Sequence, residues 1–522
     1  MTARSSLAAA FLREVSVRDI PRPRLLTGAI SLAVLASVLA PRLDAAGSPM
    51  DEGGVLAYAD RILHGQVPMR DLHSFYGPLS TYLVAGVFRV VDPSLGAERA
   101  IGLTYRLVLA AVLLALVRRR GPGAIVAASL LLLWLLPSQG VAAYATYGAL
   151  AIAYGAILLA DNERPFAAGA AAGVALLMRF DFVLAIVLAA VPYLWAWSWP
   201  ARRRLILGGV AGAFAYVPYL AFVGPAKLHV FVVGVRTGQA GRHLPVSFAP
   251  HGRGFLLDAG LLAILVLAAI GIRRRRTAEG LLFLSVALAS AGLLPYAFDR
   301  TDKQHILVAV IPPIVVLAAA VPAAVTSRRV RTAAAVAAAV AAVAFFATDP
   351  FRLADLNVWS SSLGSGRAAA SVTYGGRSFR LDASFARAAQ QAVVRAAQVA
   401  PVNGSLFVGP GDLRVTSYAD AYMYFLLPQL KPATFYITLD PGSTNLPGEG
   451  LDGQLERADV LVLNDEYDPA SATGAAGPNR IVARDFCLRG TFQPFRVYVR
   501  CRASAGAAGN ANRRPSAGSH SA

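Results

Sequence analysis

Charge is scarce in this chain of 522 residues: Lys, Arg, Asp and Glu together make up 15% of it, against about a quarter in ordinary soluble domains. Acidic residues are the scarcer sign, 30 against 49 Lys and Arg. Hydrophobic residues take 56% of the positions, so general disorder is excluded and a membrane protein is the class that composition favours. Cysteine occurs twice, at Cys487 and Cys501, with no histidine close by, and that pair does not make a metal site. A Walker-type phosphate loop is missing as well, which leaves no sign of a cytoplasmic nucleotide-driven domain.

The net charge of +19 is distributed unevenly. Residues 349–522 carry 17 Lys/Arg against 14 Asp/Glu, so nearly all the excess lies in the first 348 residues. There it falls in short arginine clusters between apolar runs, a membrane-orientation pattern and not a nucleic-acid face. Eleven apolar stretches read as spans: 25–43, 99–117, 122–137, 143–160, 165–179, 181–199, 205–223, 255–272, 279–297, 304–323 and 332–348. Backbone groups cannot go unpaired in hydrocarbon, so these are expected to be helices. Counting from a cytoplasmic N-terminus puts Arg118–Arg120, Arg202–Arg204, Arg273–Arg276 and Arg328, Arg329 and Arg331 on inner turns, as the positive-inside rule requires. The first stretch has no clear cleavage site after it and reads as an uncleaved anchor. Residues 78–92 are apolar but short and interrupted by Arg89; parity makes them a helix lying on the outer face.

The expected architecture is a polytopic α-helical membrane protein of about 11 spans with a small C-terminal extracytoplasmic α/β domain. Residues 1–24 form a cytoplasmic N-terminus, 25–348 the membrane domain with a first outer loop at 44–98, 349–502 the outer domain, and 503–522 a disordered tail. In the outer domain the pattern predicts a helix at 382–400, a strand at SLFVG, a helix around 418–427, a strand near 433–437, and a strand within ERADVLVLND. IVARDFCLRG and TFQPFRVYVRC read as a hairpin flanked by the two cysteines. A Cys487–Cys501 disulfide suits an oxidising outer compartment, where it would contribute about 3 kcal/mol; two buried thiols are the alternative.

The first outer loop, SPMDEGGVLAYADRILHGQVPMRDLHSFYGPLSTYL, is dense in groups that a membrane surface does not need. Asp51 and Glu52 can cap a helix that runs to Leu63 and ends at Gly65. Adjacent carboxylates at the bilayer surface also suit proton abstraction, one as base and one orienting a partner. Arg70, Asp71, His73 and Tyr76 read either as a solvated turn or as the polar wall of a cleft, with Arg70 or His73 facing an anion. Arg179 and Asp181 in MRFDF form a turn that holds either a stabilising ion pair or a ligand contact. Arg300, Lys303 and His305 in FDRTDKQH lie between two spans; Arg300 and Lys303 are the candidate phosphate binders. Arg106, within a span, must face the bundle interior or a polar partner.

The order of a first span, Asp-Glu-Gly at its outer end, YADRILHGQVPMRD and then YGPLSTYL resembles the GT-C superfamily of membrane glycosyltransferases, which includes protein O-mannosyltransferases and lipid A aminoarabinose transferases. The resemblance covers residues 20–120 by motif and the first 348 by topology. It implies that Asp51 is the catalytic base, that Glu52 is the second acidic position, and that the donor is a sugar on a polyprenyl phosphate. It further implies direct displacement with inversion at the outer face of the plasma membrane. No cofactor is expected, and the partners are the bilayer, the lipid-linked donor and an envelope glycan, glycolipid or protein acceptor. A transporter or lipid flippase is the competing class, although no inverted repeat is evident; a non-catalytic scaffold for envelope assembly is the third.

Overall fold

The computed structural model describes residues 22–74, 76–224, 252–299, 303–320, 369–415, 419–439, 444–445, 450–466 and 474–501. Helices stand at ten of the eleven expected stretches: α1 (Arg22–Leu39), α4 (Leu95–Val117), α5 (Pro122–Leu135), α6 (Ala145–Asp161), α7 (Pro165–Met178), α8 (Val183–Ala196), α9 (Trp199–Ala213) continued by α10 (Tyr216–Val223), α11 (Gly252–Arg273), α12 (Ala278–Asp299) and α13 (Lys303–Ala320). The eleventh stretch, the loop at 225–251 and the tail lie outside the described residues. Five helical stretches are long and apolar enough to cross a bilayer by themselves: Arg22–Asp44, Leu95–Arg120, Trp199–Val223, Leu256–Arg273 and Ala278–Phe298. Helices α5, α7 and α8 have only 14 residues each, short of the ~20 that a free span needs.

Two short helices precede the bundle in the first loop, α2 (Asp51–Leu63) and α3 (Pro78–Val90). Pro78 starts α3 at a position where a missing N–H costs nothing. Helices α7 and α9 cross on a seam of small residues: a Cβ on Gly173 would lie 2.3 Å from the Gly209 carbonyl oxygen, and one on Gly208 would lie 2.1 Å from that of Phe166. Backbones this close gain dispersion contact along the whole crossing. The far side of α9 bares Ile206, Leu207, Val210 and Phe214, a face with apolar lipid as its natural neighbour. The arginine-bearing turns gather at one end of the bundle, where Arg119 pairs with Asp161 and Arg120 with Glu279. The first loop sits at the other end.

The C-terminal region builds a five-stranded sheet in the order β4-β3-β5-β7-β6. Its strands are β3 (Ser405–Pro410), β4 (Lys431–Pro432), β5 (Val460–Asn464), β6 (Phe486–Phe492) and β7 (Phe495–Arg500). β3 runs parallel to β4 and β5; β7 is antiparallel to β5 and β6. A separate hairpin, β1 (Ala369–Tyr374) and β2 (Arg377–Asp382), leads into α14 (Ala383–Val399). Alternation decides the two faces. Leu406, Val408, Val460 and Val462 pack toward Ala389, Val393 and Ala396 of α14, whereas Phe407, Leu461 and Leu463 pack toward α16 (Leu451–Leu455) and α17 (Gly477–Asp485). α15 (Tyr422–Leu426) lies within the expected 418–427.

Two sequence expectations change here. The strand near 433–437 shrinks to Lys431–Pro432, because the following backbone is held by side chains: Thr434 Oγ1 and the Phe435 N–H both donate to Gln454 Oε1. Residues 481–485 are helical and not the first half of a hairpin strand, since Pro478 starts a turn that carries through Asp485. Cys487 and Cys501 are joined by a disulfide across the base of β6–β7.

Candidate active site

Helix α2 begins where Ser48 and Asp51 bond reciprocally: Ser48 Oγ donates to Asp51 Oδ2 at 3.2 Å, and the Asp51 N–H donates back to Ser48 Oγ at 3.3 Å. An acidic group in the first turn meets the positive end of the helix dipole. The neighbouring carboxylate turns the other way. Glu52, 3% exposed, accepts from Arg99 Nε at 2.7 Å and Nη2 at 2.9 Å, a bidentate pair. Arg99 Nη1 also donates to the carbonyls of Leu43 and Ala45. Glu52 therefore ties α2 to α4 and to the end of α1, while half-buried Asp51 remains at the helix tip.

The two glycines after Glu52 have a distance reason. A Cβ on Gly53 would come within 2.4 Å of the Tyr422 backbone nitrogen, and one on Gly54 within 2.9 Å of Thr438. The C-terminal domain rests directly on α2. Arg377 Nη2 donates to Asp60 Oδ1 at 2.7 Å, Arg61 donates to the carbonyls of Tyr424, Pro428 and Leu430, and the Tyr422 N–H reaches Pro49 O. Asp60 is fully buried in this contact. Tyr58 shares a hydrogen bond with Thr438, and burial pushes its hydroxyl up to about 12.

Asp51 acts electrostatically on Tyr76 and Tyr144. Burial drives the Tyr76 hydroxyl above the usual phenol range; the cation of Arg179 opposes this and the Asp51 carboxylate adds to it. The Tyr76 phenol therefore stays protonated as a donor. Arg179 packs over Tyr76 at 5.3 Å and over Tyr296 at 4.9 Å, with Asp181 closing its charge and Thr146 accepting at 2.7 Å. His305 lies against the Tyr296 ring at 4.5 Å. Four of the sequence-derived candidates, Tyr76, Arg179, Asp181 and His305, thus come together in one cluster around Arg179 and Tyr296.

Others are placed elsewhere. Arg70 pairs with its neighbour Asp71 at 2.7 Å and covers Phe222, and Asp71 also accepts the Val67 N–H. That pair shapes the turn before α3. His73 is buried under the C-terminal domain, its N–H on Phe435 O and its ring 4.9 Å from Tyr436. Arg300 and the side chain of Lys303 lie outside the described residues. Sequence reasoning missed Glu98, which is fully buried and accepts the Ala143 N–H, together with Arg99, Thr146 and Tyr296. Among these, only the Glu-Arg pair of LGAERA at the head of a span carried a sequence signal. Among the described residues no three His, Cys, Asp or Glu side chains gather as metal ligands.

No family model matches the chain, and no curated protein sequence matches it. Solved structures do. The ArnT of Cupriavidus metallidurans bound to undecaprenyl phosphate superposes with a TM-score of 0.52 at 17% identity, over 91% of this chain and 97% of that one. Its apo state gives 0.51 over the same shares. The archaeal oligosaccharyltransferase AglB of Archaeoglobus fulgidus, in complex with an inhibitory peptide and a dolichol-phosphate, gives 0.53 at 12% identity, over 92% of this chain and 74% of that one. The chain has the GT-C fold. Within this fold the first loop and the C-terminal domain meet at one end of the helical bundle, and Arg179 packs over Tyr76 of that loop.

Proposed function

We propose that the protein is a membrane glycosyltransferase that moves a sugar from a polyprenyl-phosphate donor to an envelope acceptor at the outer face of the membrane. The observation that carries this reading is the tip of α2: Glu52, paired with Arg99, fixes that tip, and Asp51 at it acts electrostatically on the buried phenols Tyr76 and Tyr144. A base must be held firmly in place, and Glu52, through its pair with Arg99, fixes the helix tip that carries Asp51. Protonated phenols and aromatic faces suit the hydroxyls and the C–H faces of a pyranose. The positive-inside rule sets the arginine turns in the cytoplasm and the site outside.

In the proposed reaction Asp51 takes the proton of an acceptor hydroxyl. The freed oxygen bonds to the anomeric carbon as the bond from that carbon to the phosphate oxygen breaks, and the electron pair leaves with the polyprenyl phosphate. One displacement inverts the configuration, through an oxocarbenium-like transition state. A small apolar cleft between α6, α7, α8 and α12 is lined by Leu150, Tyr154, Ile157, Phe182, Ile186 and Leu293, side chains compatible with hydrocarbon.

The test is transfer by the purified full chain from a panel of radiolabelled polyprenyl-phosphate hexoses and pentoses to crude envelope acceptors. Asp51→Asn is expected to lower turnover by about a hundredfold or more with the melting profile unchanged. Absence of turnover from every donor by a folded protein would count for the transporter class instead.

A further inference from the structure

The arginine-bearing end of the bundle, opposite the first loop, holds more positive charge than its carboxylates answer. Asp161 takes Arg119, and Glu279 takes Arg120 and Arg274. Two further runs lie at this end, Arg202–Arg204 in the first turns of α9 and Arg273–Arg276 at the end of α11 and in the turn to α12. Arg202 is occupied by backbone, its Nε donating to Trp197 O and its Nη2 to Trp195 O. Arg203, Arg204, Arg273, Arg275 and Arg276 are exposed, and no carboxylate among the described residues pairs with them.

The two runs are distant in sequence and adjacent in space. The Arg275 guanidinium lies 6.0 Å from the centre of the Trp195 ring at the end of α8. Trp197, Leu205 and Leu281 pack on one small core of Ala160, Ala168 and Tyr193, which joins the α8–α9 turn to the head of α12. Like charges brought together repel, so the arrangement is stabilised by an anion from outside the chain.

The surroundings say which anion. Membrane orientation asks only for basic residues of either kind, anywhere on the short loops of that side. In both runs every basic residue is arginine, whose planar fork takes phosphate oxygens bidentately where lysine is a point charge. The apolar surface alongside suits an acyl chain. Val183, Val187, Val191 and Trp195 are exposed at four-residue intervals, one stripe along α8 that ends at the ring Arg275 covers. Trp199, also exposed, opens α9 beside it, and tryptophan favours the level of the headgroups.

We propose that the α8–α9 and α11–α12 turns form a binding site for an anionic phospholipid of the adjoining leaflet. Its phosphate is held by the exposed arginines of both turns, and an acyl chain lies along the α8 stripe. The site is at the opposite end from Asp51 and independent of the sugar transfer proposed above. A bound lipid pins one turn to the other and offsets their mutual repulsion.

The experiment titrates dioleoyl phosphatidylglycerol, dioleoyl phosphatidylcholine and inorganic phosphate into the detergent-solubilised full chain, with occupancy read by native mass spectrometry. The wild type is compared with Arg203→Gln/Arg204→Gln and Arg275→Gln/Arg276→Gln. Arg22→Gln/Arg24→Gln, at the start of α1 on the same side, is the control. The wild type should bind phosphatidylglycerol about tenfold or more tighter than phosphatidylcholine. Each turn variant should lose about tenfold or more of its phosphatidylglycerol affinity, with phosphatidylcholine unchanged and the control like the wild type. These side chains are exposed, so the variants should melt with the wild type in lipid-free detergent; phosphatidylglycerol should then raise the wild-type melting temperature and not theirs. Equal wild-type affinity for the two lipids overturns the proposal. A loss in the control as large as in the turn variants does so too, because it marks a diffuse charge effect. Loss in only one of the two turn variants removes the shared site. Inorganic phosphate bound as tightly as the lipid, and lost in the same variants, overturns the lipid assignment in favour of a soluble anion.

Discussion

Adjacent residues in this loop have opposite duties, and single substitutions separate them. Asp51→Asn changes the chemistry at a half-buried tip and should leave stability nearly intact. Glu52→Ala strands the Arg99 guanidinium in the interior and should destabilise by about 3–5 kcal/mol, read as a large fall in the melting temperature. Another buried carboxylate gives a pH signature. Asp420 accepts a hydrogen bond from Asn464 at 2.9 Å, and burial, opposed by that bond, pushes its pKa up to about 7. Between about 4 and that value the folded domain keeps a proton that the unfolded chain has released. Stability therefore declines as pH rises through this window, by at most about 4 kcal/mol, and levels off above it. Asp420→Asn should abolish the slope in melts of the full chain between pH 4 and pH 8.

At the scale of elements, close approach is the recurrent device. Gly53→Ala on α2 puts a methyl into the backbone of Tyr422. The expected outcome is loosening of the C-terminal domain, seen as faster protease cleavage between the two regions, with the bundle itself still folded. Gly173→Leu should separate α7 from α9, since the Gly209 carbonyl leaves it no room. Here the limit of sequence reading also becomes visible. The extent of α2 and the helical stretch of α3 could be read from local pattern, because caps and apolar runs are local properties. The meaning of the glycine pair after Glu52 could not, since its cause lies at Tyr422, far along the chain. The same holds for Arg99, whose partner is 47 residues away, and for the 433–437 segment, whose backbone bonds to a glutamine side chain. Arg106 was flagged by its cost in hydrocarbon, but the carbonyls of Gly102 and Ala142 that accept from it needed coordinates.

For the whole molecule, membrane class and helix positions followed from composition and run length, and the pairing of bundle with sheet followed from the change of character after residue 349. What pattern alone did not give is how the two parts touch. Reduction of the Cys487–Cys501 bridge should lower the stability of the C-terminal domain by up to about 3 kcal/mol, measured as a shift in its melt with and without reductant. Because that domain seals α2, transfer activity should fall in step.

The clamp of Arg61 on the carbonyl of Leu430 spans 369 residues of chain. At ribosomal speeds of about 5–20 residues per second, the first loop waits roughly 20–75 s after its own synthesis before its cover is made. Throughout that interval Asp60 and Arg61 lack the partners that the later domain supplies. That end of the bundle is completed only when the last domain has been made and folded, so an unfinished chain lacks the cover that the finished fold places over α2.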